Sequence, residues 1–404
     1  MVFLDSHCSL PQAKAGAGMT NAGHYLNMRI LIIDDEPDIR QALAYVLQDE
    51  GYETNSASTG LEGLSYISAK RFDIVITDLM LPDLDGMTII NKAKEICPEI
   101  IIVMITAYGS EEKAVEAIRA GADDYIPKPI DGDELLMKLS KAVEMRRLRD
   151  ENILFHRRLE KEIEIARKIQ QTLLPQQIPE INGFDVAIFN QPAKYVGGDY
   201  HDIITLSSGN VGIAIGDVSG KGMPAALLMA NVQASIRRCS EDRYPPKEII
   251  QRVNSALCPI CQLIEEHRFV TLFYANLNPQ NGEMVFSNAG HNYPILFKQD
   301  ESLYNLSNGG GIPCGILDDF HYDEAKIKLE PNDIVVFYTD GIIESMNTEE
   351  LIFSEERLID IVLRNLNLSP DEIINYVCKE LNEFMGNSIQ YDDMTLMIFK
   401  MHDS

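Results

Sequence analysis

From Met28 onward, short apolar runs rich in β-branched residues alternate with helix-like stretches: "RILII" at 29–33, "FDIVIT" at 72–77, "IIIVMIT" at 100–106 and "DDYIPKP" at 123–129. The apolar character is almost unbroken within each run. A strand with one wet face alternates apolar and polar residues, whereas a strand covered on both faces does not, so these runs predict a parallel sheet with helices on either side. Residues 28–145 are therefore expected to form a doubly wound five-stranded parallel α/β domain. No Gly or Pro interrupts the chain between Gly132 and Pro175, which predicts one helical linker over 131–174. Along it, Met145, Leu148, Asn152, Phe155, Leu159, Glu162, Ala166, Ile169 and Leu173 fall at alternating spacings of three and four. This seam suits a coiled coil joining two copies, with Asn152 as a register-setting position; a single amphipathic helix packed on its own chain is the competing arrangement. Past Pro175 and Pro179 the pattern changes to alternating strands with Gly-rich turns, interrupted by helical stretches near 223–239, 246–264, 354–365 and 370–385. Residues 176–402 are expected to form a layered α+β domain, a β-sandwich flanked by helices.

Composition agrees with this modular plan. At 404 residues with 45% hydrophobic content, the chain can bury at least two cores. Its formal net charge of -27 spreads over both halves, and Lys and Arg cluster only between about 141 and 168, so a phosphate backbone would be repelled and nucleic acid is excluded as a partner. No apolar run approaches the roughly eighteen residues a membrane helix needs, and residues 1–27 lack the layout of a secretory signal; they are expected to be a flexible tail on a cytoplasmic protein. The seven cysteines form no disulfide framework. "CPIC" (Cys258, Cys261) lacks the second pair that a closed zinc site requires, so both are expected to be reduced structural thiols.

Chemistry enters at the strand ends. Asp34 and Asp35 follow the first strand, Asp78 ends the third, Thr106 the fourth, and Lys128 follows the fifth. In an open parallel sheet these carboxyl ends share one edge, where ligands bind. Three carboxylates gathered there repel one another unless a hard cation such as Mg²⁺ sits among them, and one can then act as nucleophile toward phosphorus while Lys128 and Thr106 meet the phosphoryl oxygens. The pieces "LIIDDEPDIR", "DIVITDLMLPDLDG", "VMITAYGS" and "DDYIPKPI" resemble the receiver domains of two-component response regulators. The resemblance implies Asp78 as phosphoacceptor, Mg²⁺ held by Asp34 and Asp35 with the Met80 carbonyl, Tyr125 as an aromatic switch residue, and a sensor histidine kinase as phosphodonor.

A second set of acids punctuates the C-terminal half: "GGDYHD" with Asp199 and Asp202, "IAIGDVSGKG" with Asp217, "VVFYTDGIIE" with Asp340, and "YDDMTLMIF" with Asp392 and Asp393. Carboxylates beside buried strands are costly unless a cation is shared. With oxygen donors alone, Mg²⁺ or Mn²⁺ is expected rather than Zn²⁺, and two such ions can activate a water for attack on phosphorus without a protein nucleophile. "GDVSGKG" does not fit a phosphate-binding P-loop: three residues separate Gly216 from Gly220, and Gly222 stands where Ser or Thr is required. Its glycines instead allow the backbone near Val218 to approach a metal.

Together with "EIEIARKIQQTLLP", "GDVSGKGMPAALLMA", "SNAGHNYPIL" and "IPCGI", these motifs resemble the SpoIIE group of PPM-type serine/threonine protein phosphatases. The resemblance implies that Asp217 bridges two metals, that Asp199 holds one and that Asp340 with Asp392 holds the other; Asp202 and Asp393 are further candidates. His291 in "NAGHNYP" is either a general acid or a structural histidine. The substrate implied is a phosphorylated STAS-domain anti-sigma-factor antagonist, and the whole chain reads as a phosphatase controlled by phosphorylation at Asp78. The competing reading is a non-catalytic adaptor whose docking the receiver gates.

Overall fold

A computed structural model describes residues 28–106, 111–241, 244–263 and 268–402. The expectation for residues 1–27 lies outside the described residues. The chain divides into two compact units, the first ending at His156 and the second starting at Arg157.

In the first unit the elements run β1 (Arg29–Ile33), α1 (Pro37–Asp49), β2 (Glu53–Ala57), α2 (Gly60–Ala69), β3 (Ile74–Asp78), α3 (Gly86–Ile96), β4 (Ile101–Thr106), α4 (Glu111–Ala120), β5 (Asp124–Pro127) and α5 (Gly132–Leu173). The sheet order is β2-β1-β3-β4-β5, all parallel. Leu31 and Ile33 of β1 point into one core and Ile30 and Ile32 into the other, which is why the strands read as continuous apolar runs. The edge strand β2, "ETNSA", buries only Ala57 fully and gives no such signal. Leu135, Leu139 and Val143 seat the start of α5 on this sheet. Gly86 opens α3 under compulsion: a Cβ there would lie 2.7 Å from the Asp78 carbonyl oxygen, so the helix start packs directly on the backbone that carries Asp78.

The second unit continues with β6 (Phe184–Gln191), β7 (Tyr200–Thr205), β8 (Val211–Val218), α6 (Met223–Glu241), α7 (Pro246–Leu263), β9 (Val270–Asn278) and β10 (Glu283–Ala289). Then follow β11 (Ile295–Phe297), β12 (Leu303–Asn305), β13 (Gly310–Gly311), β14 (Ala325–Lys328), β15 (Ile334–Tyr338), α8 (Asp340–Ile343), α9 (Glu355–Leu363), α10 (Pro370–Met385) and β16 (Met394–Met401). One sheet runs β13-β10-β9-β8-β7 with β14 added beside β10; the other runs β12-β11-β15-β16-β6. Three cores divide the work of holding them. Helices α6 and α7 cover the outer face of the first sheet, α9 and α10 cover that of the second, and a third core lies between the sheets. The expected β-sandwich flanked by helices is the architecture found. Its four long helices start within about two residues of where the apolar periodicity placed them.

The inter-sheet core is mostly aliphatic, and one ring contact crosses it from sheet to sheet. Phe337 of β15 meets Phe273 of β9 edge-on at 5.7 Å between centroids, and Phe399 of β16 at 5.5 Å. Phe337 is fully buried. Phe337→Ala should therefore destabilise the second unit by about 3–5 kcal/mol, read as a lowered denaturant midpoint with an unchanged slope.

Candidate functional site

At the carboxyl edge of the first unit's sheet, Asp34, Asp35 and Asp78 offer oxygens that all lie within 4.8 Å of one another. The topology brings them together: β1 and β3 are neighbours, and both end there. Lys128 Nζ stands 2.5 Å from Asp78 Oδ2 and 3.3 Å from Asp34 Oδ2, with Glu36 a third partner at 3.3 Å. Those carboxylates raise the lysine's pKa against the opposing effect of burial. Asp34, fully enclosed, has its pKa raised by burial even though the Glu36 backbone N–H donates to it. Asp35 remains exposed, so the cluster has one wet side. Met80 donates its N–H to Asp78 Oδ1 at 2.9 Å, which fixes the carboxylate's orientation.

Thr106 closes β4 and is buried, and its carbonyl accepts the Lys128 N–H at 2.7 Å. Tyr125 pairs with Met104, two residues short of Thr106 along the strand, and its ring lies beneath the Lys138 ammonium. An oxygen-only donor set of three carboxylates, one of them open to solvent, fits Mg²⁺ with retained waters.

The second unit gathers its acids at one end of the sandwich. Asp199 immediately precedes β7, Asp217 lies in β8, Asp340 opens α8 after β15, and Asp392 and Asp393 immediately precede β16. Burial and the charge of Asp217 hold the Asp199 pKa well above the ordinary carboxylate range. Asp217 is pushed up to about 7 by burial and by Asp340, Asp392 and Asp393; Asp340 is pushed up to about 6 by burial, Glu344 and Asp392. These carboxylates resist ionising together near neutrality, and divalent cations bound among them would favour their charged forms. Among the described residues, the only three acids whose oxygens crowd within 4.8 Å are those of the first unit, so the acids here are spread more widely. Gly198 leaves the space open: a Cβ there would lie 3.0 Å from the Val218 carbonyl oxygen and 3.4 Å from Asp217 Oδ1.

Other residues take up roles that the sequence does not announce. Thr339, which follows β15 and is the N-cap residue of α8, and Thr395 of β16 donate to Asp199 Oδ2 at 2.8 and 2.6 Å. Gln170, near the end of α5, donates to the Gly197 carbonyl at 2.6 Å and accepts the Gly197 N–H at 3.1 Å, gripping the residue two before Asp199. No local pattern marks these contacts, which join residues far apart in sequence.

The two further acids have different fates. Asp393 accepts the N–H groups of Ala193 and Gly198 at 2.7 and 2.6 Å, so it shapes the loop leading to Asp199. Asp202 is fully buried and faces away from that cluster's bonding: Arg237 takes both its oxygens at 2.8 and 3.1 Å, with Tyr200 and the Ile203 N–H as further donors. With every lone-pair direction engaged, it has nothing left to offer a metal. His291 is buried, with Nδ1 at 2.9 Å from Thr271 Oγ1, and burial pushes its pKa down to about 4. At neutral pH it carries no charge, which suits a structural histidine better than a general acid.

Comparison with known proteins supports the division seen in the geometry. The response regulator receiver domain profile matches residues 30–140, and the profile of Stage II sporulation protein E (SpoIIE) matches residues 207–402. Phosphoserine phosphatase RsbU of Bacillus subtilis is 28% identical over 242 residues, which is 60% of this chain and 70% of that protein. A putative response regulator, NtrX-like, of Rickettsia bellii is 38% identical over 126 residues, 31% of this chain but only 26% of that protein. The SiaA-PP2C domain of Pseudomonas aeruginosa has the same fold as the second unit, with a TM-score of 0.55 at 20% identity over 61% of this chain and 98% of that one.

Two predictions separate structural from chemical acids. Asp202→Ala removes the buried partner of Arg237 and should lower stability by about 2–3 kcal/mol, the modest figure reflecting the half-exposed guanidinium, while the Mn²⁺ affinity measured by calorimetry stays unchanged. For His291, the folded pKa of about 4 lies below the ordinary 6.5, so between these values the unfolded chain binds a proton that the folded one refuses. Stability is then lost as pH falls through that window, by up to about 3 kcal/mol, and His291→Gln should flatten this part of the profile in denaturant titrations at pH 7 and pH 4.5.

Proposed function

We propose that this chain, a response regulator receiver joined to a SpoIIE-type PPM serine/threonine protein phosphatase domain, dephosphorylates a STAS-domain anti-sigma-factor antagonist under control of Asp78 phosphorylation. The observation that carries the hydrolase reading is the convergence of Asp199, Asp217, Asp340 and Asp392 at one end of the sandwich, three of them with pKa values raised by burial and by one another or by neighbouring acids, as carboxylates awaiting cations would have. In this reading Asp217, Asp199, the Val218 carbonyl, Asp340 and Asp392 would hold two Mn²⁺ or Mg²⁺ ions. Bound there, the ions would lower the pKa of a water for in-line attack on the phosphoserine or phosphothreonine phosphorus. The protein's own contribution is position. Thr339 and Thr395 fix one oxygen of Asp199, Asp393 holds the Gly198 backbone, and the glycines keep side chains out of the space beside Asp217.

In the receiver, the Asp78 carboxylate accepts the phosphoryl group from a sensor histidine kinase, with Mg²⁺ held by Asp34, Asp35 and the Met80 carbonyl. Lys128, already 2.5 Å from Asp78, balances the charge that phosphorylation adds, and Thr106 and Tyr125 respond to it. Control then passes along α5. Met145, Leu148, Phe155, Leu159 and Ile169 of its seam are exposed, which favours pairing with a second copy. A change in that pairing would turn the end of α5 and, through Gln170, move Gly197 and the loop before Asp199. The setting for this partner switch is the cytoplasm; among the described residues, no helix is long and apolar enough to cross a membrane.

Phosphate release from a phosphorylated STAS protein with Mn²⁺ tests the whole scheme. Asp340→Ala should lower the rate at least about a hundredfold, a loss of roughly 3 kcal/mol of transition-state stabilisation. Acetyl phosphate or beryllofluoride should change the rate of the wild type, the direction giving the sign of control, and should leave Asp78→Ala unaffected. Gln170→Ala should keep the metal requirement and blunt the response to the phosphoryl mimic. Absence of hydrolysis by the wild type under every metal condition would overturn the enzyme reading in favour of the docking adaptor.

A further inference from the structure

We infer that Lys221 is the residue that binds the phosphate group of the substrate, at the outer side of the acid cluster; this rests on the phosphatase reading above. The turn that carries it is built with unusual care. Gly220 and Gly222 flank Lys221 with φ of +87° and +79°, conformations that L side chains rarely adopt. A Cβ on Gly220 would fall 2.0 Å from Arg268 Nη1, and that guanidinium donates to the Ser219 carbonyl at 2.8 Å. Ser219 is tied to Phe269 on both sides, its N–H donating to the Phe269 carbonyl at 2.9 Å and its hydroxyl accepting the Phe269 N–H at 2.8 Å. The turn is thus pinned from behind. Lys221 projects from its apex, between β8 with Asp217 and the start of α6.

The ammonium reaches Asp392, 3.0 Å from Oδ2, and donates to the Tyr391 carbonyl. Its field extends to Asp340, whose pKa it lowers against the larger effects that raise it. About a third of the Lys221 side chain remains exposed, beside a cavity of about 260 Å³ lined also by Gly341, Glu344, Ser345, Tyr391 and Asp392. The two other charged side chains on this lining, Glu344 and Asp392, are both acids, so a phosphate dianion entering it is attracted at Lys221 and repelled elsewhere. Stability does not explain the arrangement. A half-exposed Lys–Asp pair contributes at most about 1 kcal/mol, whereas the two glycines that present it add entropy to the unfolded chain. A lysine is a point charge on a flexible stem, able to follow a phosphate from bound ester to departing inorganic phosphate without the fixed geometry of an arginine fork.

The test uses the full chain with saturating Mn²⁺ and compares wild type, Lys221→Met, Lys221→Gln and Lys221→Arg. Four quantities are read: KM for a phosphoserine peptide, the inhibition constant of inorganic phosphate, the Mn²⁺ midpoint, and phosphate binding by calorimetry. Thermal melting establishes that each variant is folded. Loss of the charge should raise KM and weaken phosphate inhibition and binding at least about tenfold, Lys221→Arg should recover most of this, and the Mn²⁺ midpoint should move much less than the phosphate constants. Unchanged phosphate constants in folded Met and Gln variants overturn the inference. So does a shift confined to the Mn²⁺ midpoint, which would make Lys221 a partner of Asp392 alone. A wild type that hydrolyses nothing defeats the phosphatase reading by itself; calorimetry then decides Lys221 separately, with loss of phosphate binding in the variants supporting it and no binding to the wild type overturning it.

Discussion

Asp199 has almost no contact with water, and its oxygen Oδ2 accepts hydroxyl hydrogen bonds from Thr339 and Thr395. The acid introduces β7 of one sheet, while Thr339 directly follows β15 and Thr395 lies in β16 of the other. An enclosed carboxylate must be satisfied inside the protein, so the position of this one depends on how the sheets register. The Phe273–Phe337 ring contact joins the two sheets, and Phe399 packs on Phe337 from the neighbouring strand of the same sheet. Packing and chemistry are joined here: a shift of the inter-sheet core would reach Asp199 through two short hydrogen bonds before it reached the protein surface.

The same constraint gives the acid cluster its electrostatic character. Hydroxyls satisfy hydrogen bonding but bring no counter-charge, and Asp199, Asp217 and Asp340 accordingly have raised pKa values. The receiver meets a similar crowding of carboxylates differently. Lys128 stands among them, and Asp35 stays in solvent. One cluster therefore holds an internal cation at its centre, whereas the other has its lysine at the rim, paired with Asp392.

Much of this was legible in the residues, for definite reasons. Strands β1, β3 and β4 were readable because burial on both faces leaves an unbroken apolar run, whereas β5, of which only Ile126 is buried, and the polar edge strand β2 carry no run of that kind. The acids could be found because carboxylates beside buried strands are conspicuous. Their ranking was another matter. Asp202 and Asp393 look equivalent to their neighbours in sequence, yet Asp202 belongs to an ion pair with Arg237 on α6 and Asp393 to the backbone of the loop before Asp199. Thr339 and Thr395 act across 140 and 196 residues, and Gln170 across 27, distances at which no periodicity operates.

Gln170 also bounds how strongly α5 can act through this contact. Two amide hydrogen bonds to Gly197, partly buried and exchangeable with water, are worth about 1–3 kcal/mol together. A change that breaks them completely can thus alter the population of a competent loop by about tenfold to a hundredfold and no more. Regulation within that range needs only the grip on Gly197. A larger response would require α5 to draw on further differences between its two arrangements, and the core contact of Leu174 and the hydrogen bond from Gln233 to the Leu173 carbonyl are the available ones. In the proposed scheme the amplitude of control would be set by how much of the last turn of α5 moves, with Gln170 supplying the part that reaches the loop before Asp199 directly.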